Sequence, residues 1–123
     1  KTGPYPEFPT DLQSPFMALL TSADGTSIIE ETIFEDRFET AKELEKMGAS
    51  IQIAGRKAWI AGGGRLLGAR VKALDLRGGA ALVIAGLMAD GLTEIEDCFH
   101  ILRGYEDICR DLQSVGADIW YKP

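Results

Sequence analysis

Met47-Gly48-Ala49-Ser50-Ile51 and Val115-Gly116-Ala117-Asp118-Ile119 are one phrase written twice, and the repetition reaches well beyond them. Upstream of each lies an arginine (Arg37, Arg103), and before that an Ala-Asp-Gly (Ala23-Asp24-Gly25, Ala89-Asp90-Gly91). Each copy opens on a charged triplet, Thr10-Asp11-Leu12-Gln13 in the first and Leu74-Asp75-Leu76-Arg77 in the second. The spacing drifts from 64 residues (Asp11 to Asp75) through 66 (Asp24 to Asp90) to 68 (Gly48 to Gly116), so small loop insertions separate the copies. Internal repetition on this scale means one supersecondary unit stacked on itself. The reading divides the chain into an extended lead-in over 1–9, carrying Pro4, Pro6 and Pro9, a first unit over 10–68 and a second over 69–123.

Within the first unit, Thr10 or Asp11 is expected to cap a helix whose apolar face is Leu12, Phe16, Leu19 and Leu20. Strand residues follow at 26–31, a helix at 40–47, and a hairpin of 50–54 with 57–61 around Gly55-Arg56. In the second unit, 69–74 reads as a strand and 77–88 as a helix with Ala80, Val83, Ile84 and Leu87 on one face. Residues 93–97 read as a strand. A last helix presents Tyr105, Ile108, Leu112 and Val115 inward and stops at Gly116, and 117–121 closes as a strand. This is an α/β (α+β) alternation in which each copy lays a helical stripe on a small sheet.

The 123 residues carry a net charge of −6, with 46% apolar and 26% charged side chains. That balance fits a globular chain and argues against non-specific nucleic-acid binding, which needs a basic face. No apolar run reaches the roughly 20 residues that span a bilayer. Cys98 and Cys109 are the two cysteines and His100 is the single histidine, so no metal-ligand spacing exists and none is expected. Neither thiol has a partner that would make it a nucleophile, and a reducing, cytoplasmic setting is expected. The glycine stretch Gly62-Gly63-Gly64 to Gly68 lacks the lysine and hydroxyl residue of a phosphate-cradling loop and reads as a linker. The chain opens on Lys1 and closes on Pro123, which reads as a piece of a longer protein.

Chemistry is sought in the doubled polar positions. Asp11 and Asp75 stand just ahead of helices, where a carboxylate either caps free N–H groups or serves as a general base in a cleft. Arg37 and Arg103 are read as preceding the second helix of each copy, and Arg77 as sitting in a first helical turn. An arginine there opposes the helix dipole unless an anion offsets it. Three guanidinium forks suit a ligand bearing carboxylate and phosphate, and equally they could be exposed surface residues.

Four stretches in order, Phe8-Pro9-Thr10-Asp11-Leu12-Gln13, Glu31-Thr32-Ile33-Phe34-Glu35-Asp36-Arg37-Phe38, Asp75-Leu76-Arg77 and His100-Ile101-Leu102-Arg103-Gly104-Tyr105-Glu106, resemble the C-terminal part of the UDP-N-acetylglucosamine enolpyruvyl transferases. The resemblance covers essentially the whole chain. It implies a cytoplasmic bacterial transferase that opens peptidoglycan synthesis and so serves cell wall biogenesis, cell shape and cell division. Such enzymes move enolpyruvyl from phosphoenolpyruvate to the 3-hydroxyl of UDP-N-acetylglucosamine, without a cofactor. It also implies an inside-out barrel of repeated βαβαββ units, with two of the three units of one domain present.

By the same resemblance, Asp11 matches the sugar-contacting base. Ile33 matches a position whose backbone touches UDP-N-acetylglucosamine, and Arg37, Arg77 and Arg103 match arginines around the transferring group. Asp75 matches an aspartate beside the reacting carbon. Asp11, Asp75 and Arg103 are the catalytic candidates; Asp11, Ile33, Arg37, Arg77 and Arg103 are the substrate-binding ones. Two departures stand out: Gly78-Gly79 after Arg77, expected to loosen the helix start, and Leu102 where an aspartate commonly precedes the arginine. The family's reactive cysteine belongs to the other, N-terminal domain and matches neither Cys98 nor Cys109. Little turnover is therefore expected from this chain alone, and an unpaired sheet edge should favour self-association. The alternatives are the shikimate-pathway enolpyruvyl transferase and a non-catalytic binding domain that retains the fold.

Overall fold

A computed structural model describes residues 1–34 and 38–122, so Arg37 lies outside the described residues. The first unit is built around its hairpin. Strands β2 (Ser50–Ala54) and β3 (Lys57–Ala61) pair antiparallel from Ala54↔Lys57 outward. Gly55 has φ 59°, the positive value that a two-residue turn with glycine first demands. Strand β1 (Thr26–Glu30) joins the other edge of β3, giving the order β1-β3-β2. Ala58 and Ile60 on β3 are buried while Lys57 and Ala61 face out, the period-2 alternation of a sheet with one covered face.

A 3₁₀ turn (Thr10–Leu12) leads into α1 (Gln13–Leu20), and α2 (Glu39–Lys46) follows β1. The second unit starts with β4 (Arg70–Lys72), crosses through α3 (Leu76–Met88) and returns as β5 (Glu94–Glu96), parallel to β4. Two short helices, α4 (Phe99–Gly104) and α5 (Ile108–Gln113), complete it. Gly25 and Gly91 have φ of 75° and 90°, and Gly48 and Gly116 of 98° and 97°.

Helix α3 holds the structure together. It packs on α1, α2 and α4, and residues 78–83 are all buried, with Ala85 beyond them. Its Ala81, Leu82 and Ala85 belong to the core that includes Met17, Leu44, Met47 and Ile60, whereas Val83 joins a smaller cluster with Ala73 and Ile101. A helix apolar on all sides is a central helix, so burial extends beyond the expected face of Ala80, Val83 and Ile84, while Leu87, next to its C-terminal end, is exposed. The buried Glu43 side chain accepts the Lys72 amide at 2.7 Å and pairs with Lys46 at 2.8 Å, tying α2 to β4.

Three further expectations are corrected. The buried side of α1 is Gln13, Met17 and Ala18; of the expected face only Leu20 packs on the core, while Leu12, Phe16 and Leu19 are exposed. The opening 3₁₀ turn and the inward pull on Gln13 rotate the helix away from its apolar stripe. The last helix is shorter than expected, Ile108–Gln113 alone, and a helix not foreseen, α4, precedes it. Tyr105 is extended, Asp107 caps α5 by accepting the Arg110 amide at 3.1 Å, and Tyr105 and Val115 are exposed. Residues 117–121 form no strand. A strand needs a neighbour, and among the described residues none pairs with this segment; the Gln113 side-chain amide bonds the Ile119 carbonyl instead.

Candidate active site

The packing of α1 on α3 brings together polar residues that are far apart in sequence. Arg77, second residue of α3, donates from Nε to Asp11 Oδ1 at 2.6 Å across 66 residues of chain. The arginine at this helix start is thus offset by a carboxylate of the other copy. Both side chains remain in contact with solvent, at 40% and 63% exposure, so the pair contributes little to stability and can be exchanged cheaply for a ligand. Asp11 itself lies inside the 3₁₀ turn, whose cap is Pro9 with no side-chain bond, so it caps no helix. Its repeat partner Asp75 does: its carboxylate accepts the Gly78 amide at 2.6 Å. Two equivalent positions therefore differ: Asp75 caps a helix, whereas Asp11 pairs with Arg77.

Helix α4 closes the other side of this helix start. A Cβ on Gly104 would fall 2.2 Å from Leu76 Cδ1, which puts the end of α4 against the residue between Asp75 and Arg77. Arg103 occupies the last turn of α4, in place of the helix start expected for it. The cation is there on the favourable, carbonyl-rich end of the helix. Its exposed side chain has no ion-pair or hydrogen-bond partner among the described residues.

The two glycines after Arg77 do not loosen α3. A Cβ on Gly78 would sit 2.3 Å from Thr40 Oγ1, and one on Gly79 only 2.6 Å from Ile101 Cγ1. They are places where α2 and α4 press against the helix, and the loosening expected of them is offset by this packing and by the Asp75 cap. Replacing Gly79 by leucine is expected to destabilise the chain by about 1–3 kcal/mol through overpacking, measured by urea unfolding.

Ile33 is half-exposed just beyond β1, and its backbone amide is spoken for. It donates to Glu31 Oε2 at 3.0 Å, as the Phe34 amide does at 3.4 Å. Glu31 is almost fully buried, and its other oxygen accepts from Thr10 Oγ1 at 2.6 Å and Gln13 Nε2 at 3.3 Å. Thr2 Oγ1 adds a bond to Oε2 at 2.7 Å, anchoring the lead-in. Burial pushes the Glu31 carboxyl up, but bonds from Thr10, Thr2, the Ile33 amide and Gln13 outweigh it and hold it below its usual value. Glu31 and Thr10 were absent from the expected site. Only the clustering of hydroxyl residues around one carboxylate could have flagged them.

The remaining reactive types are Cys98, His100 and Cys109. Cys109 is buried, and Cys98 sits at the start of the short α4 without a side-chain cap bond. His100 lies against the Phe99 ring with centroids 4.0 Å apart. Among the described residues, no cluster of histidine, cysteine and carboxylate could hold a metal, and no helix is long and apolar enough to cross a membrane.

The profile of the EPSP synthase (3-phosphoshikimate 1-carboxyvinyltransferase) family matches residues 1–112. The chain belongs to this family. Members similar to it include UDP-N-acetylglucosamine 1-carboxyvinyltransferase 2 of Clostridium tetani, 57% identical over 98% of this chain and 29% of that protein. A UDP-N-acetylglucosamine 1-carboxyvinyltransferase of Desulfofundulus thermocisternus is 55% identical over 100% of this chain and 51% of its own length. Among solved structures, the enolpyruvyl transferase NikO of Streptomyces tendae superposes with a TM-score of 0.83 at 33% identity, over 92% of this chain and 26% of that one. The chain therefore has the enolpyruvyl transferase fold and spans between about a quarter and a half of the proteins it matches.

Proposed function

We propose that this chain is part of an enzyme that transfers enolpyruvyl from phosphoenolpyruvate to the 3-hydroxyl of UDP-N-acetylglucosamine, the opening step of peptidoglycan synthesis in the cytoplasm. The observation that carries the reading is the Asp11–Arg77 pair at 2.6 Å, formed across the two copies. It supplies a base and an anion-binding fork side by side. Relatives at 55–57% identity bearing this enzyme's name support the choice of substrate.

In this scheme the sugar's 3-hydroxyl enters against Asp11, which accepts its proton as the oxygen attacks the central carbon of phosphoenolpyruvate and the methylene carbon takes up a proton. Loss of a proton from that carbon with cleavage of the C–O bond to phosphate then restores the double bond and releases inorganic phosphate. Arg77 is released from Asp11 to the incoming anion. With Arg103, and with Arg37, it neutralises phosphate and carboxylate while charge develops in the oxocarbenium-like species and the tetrahedral intermediate. Asp75, anchored by the Gly78 amide, stands at the reacting carbon for proton handling. The Ile33 backbone holds the sugar nucleotide.

The chain is proposed to act within the larger enzyme, as residues 10–68 and 69–123 of one domain after a lead-in over 1–9. In the first unit β3 lies between β1 and β2. The matching gap in the second unit, between β5 and residues 117–122, is a groove of about 1500 Å³ lined by Ile95, Ile108, Leu112 and Ile119. Another stretch of the enzyme fills it in this reading, and the isolated chain self-associates through that edge.

The test joins this chain to the remaining portion of the Clostridium tetani relative. Phosphate release from phosphoenolpyruvate should require UDP-N-acetylglucosamine, and Arg103→Ala should lower kcat about 10²–10³-fold by removing a preorganised charge. A folded joined protein that binds the sugar nucleotide without reacting would identify a binding domain. One that does neither would end the assignment.

A further inference from the structure

We infer that Glu31 is a positioning residue that sets the Asp11 segment and the Ile33 loop in register with each other. The inference rests on the transferase reading above, since that reading makes Asp11 and Ile33 parts of one site. Its two oxygens divide the work. Oε1 takes Thr10 and Gln13, the residues flanking Asp11-Leu12, at 2.6 and 3.3 Å. Oε2 takes the Ile33 and Phe34 amides at 3.0 and 3.4 Å, together with Thr2 at 2.7 Å.

One carboxylate thereby bridges two segments that the chain separates by more than 20 residues, with |i−j| of 21 from Thr10 to Glu31. Bonds to an ionised acceptor are short and about twice as strong as neutral ones, which suits a strut better than a flexible contact. The network is also guarded from outside: Thr2 in addition accepts the Thr32 amide at 2.8 Å, and Thr2, Gln13 and Glu31 are all buried. Water cannot easily replace a lost partner there, so loss of the charge should move both arms together.

The contact with Thr10 is the more telling one. Thr10 stands where a cap was expected, yet its hydroxyl turns away from the helix and towards Glu31. Asp11 follows it directly and reaches Arg77 from the same turn. Displacing Thr10 displaces the base. Displacing the Ile33 amide alters the backbone offered to the sugar nucleotide.

The experiment uses the full-length protein carrying this chain, with Glu31→Gln and Thr10→Val variants assayed well below their melting temperatures. Glutamine keeps the size but turns one acceptor oxygen into a donor facing other donors. Glu31→Gln is expected to raise the KM for UDP-N-acetylglucosamine and lower kcat, each about 10-fold, leaving the KM for phosphoenolpyruvate within about 3-fold. Thr10→Val, which severs one arm only, is expected to lower kcat about 10-fold with the sugar-nucleotide KM nearly unchanged. Amide exchange at Ile33 should quicken in Glu31→Gln and not in Thr10→Val. Folded variants that lose only melting temperature, with both kinetic constants as in the parent, would overturn the inference while leaving the transferase reading intact. A parent protein that neither binds nor turns over the sugar nucleotide would overturn both.

Discussion

Asp11→Asn in the full-length protein is expected to lower kcat for enolpyruvyl transfer by about 10²–10⁴-fold, the usual contribution of a positioned general base. Asparagine preserves the shape and can still offer an oxygen to Arg77. The loss would therefore report the missing proton acceptor and not a collapsed site. Stability should barely change, because the Asp11–Arg77 pair is solvent-facing and such pairs contribute about 0–1 kcal/mol. The companion Arg77→Lys keeps the charge but loses the planar fork, and its effect should fall mainly on phosphoenolpyruvate binding. An Asp11→Asn enzyme within a few-fold of its parent would mean that the pair is only a surface contact. Steady-state phosphate release, with unfolding followed in parallel, makes the distinction.

Leu82→Ala is expected to destabilise the 123-residue chain by about 2–5 kcal/mol, measured by urea denaturation. Leu82 is fully buried at the centre of α3, whose neighbours α1, α2 and α4 leave it no route to solvent. The helix surface around it is made of Gly78, Gly79, Ala80, Ala81 and Ala85, so the packed helices already stand close and cannot settle much further into a void. The same truncation at Leu87, on the exposed end of the helix, should cost well under half as much. Because α3 also carries Asp75 and Arg77, a loosened core should weaken the site as well as the fold.

Local patterns were legible in the sequence where the forces were local. Gly55-Arg56 between two alternating runs specified β2 and β3 because a two-residue turn dictates its own pairing. The glycines of the repeat gave matching left-handed turns for the same reason. Positions decided by distant partners were not legible. The segment 117–121 has strand-like alternation yet no neighbour among the described residues, and α1 buries Gln13 in preference to Leu12 and Leu19 because Glu31 waits beneath it. The pairing of Asp11 with Arg77 illustrates the limit at the site. Resemblance put both residues in one site, but spacing alone could not reveal that each copy lends the other its counter-ion. Arg103 was misplaced because residues 99–104, given no element in the sequence reading, form the short helix α4.

The Glu31 network also gives the protein an acid limit. Its carboxyl is held below the ordinary value of 4.5, so its contribution is fully present above that pH. It should be lost as pH falls through the lower, folded value, and Glu31→Gln should flatten that limb of the stability curve.

The most direct measurement of the central claim is phosphate release from phosphoenolpyruvate by the full-length protein, offered UDP-N-acetylglucosamine or shikimate 3-phosphate in parallel. The account predicts release with the sugar nucleotide alone, lost in Asp11→Asn. Release with shikimate 3-phosphate alone, or undiminished release in the variant, would contradict it.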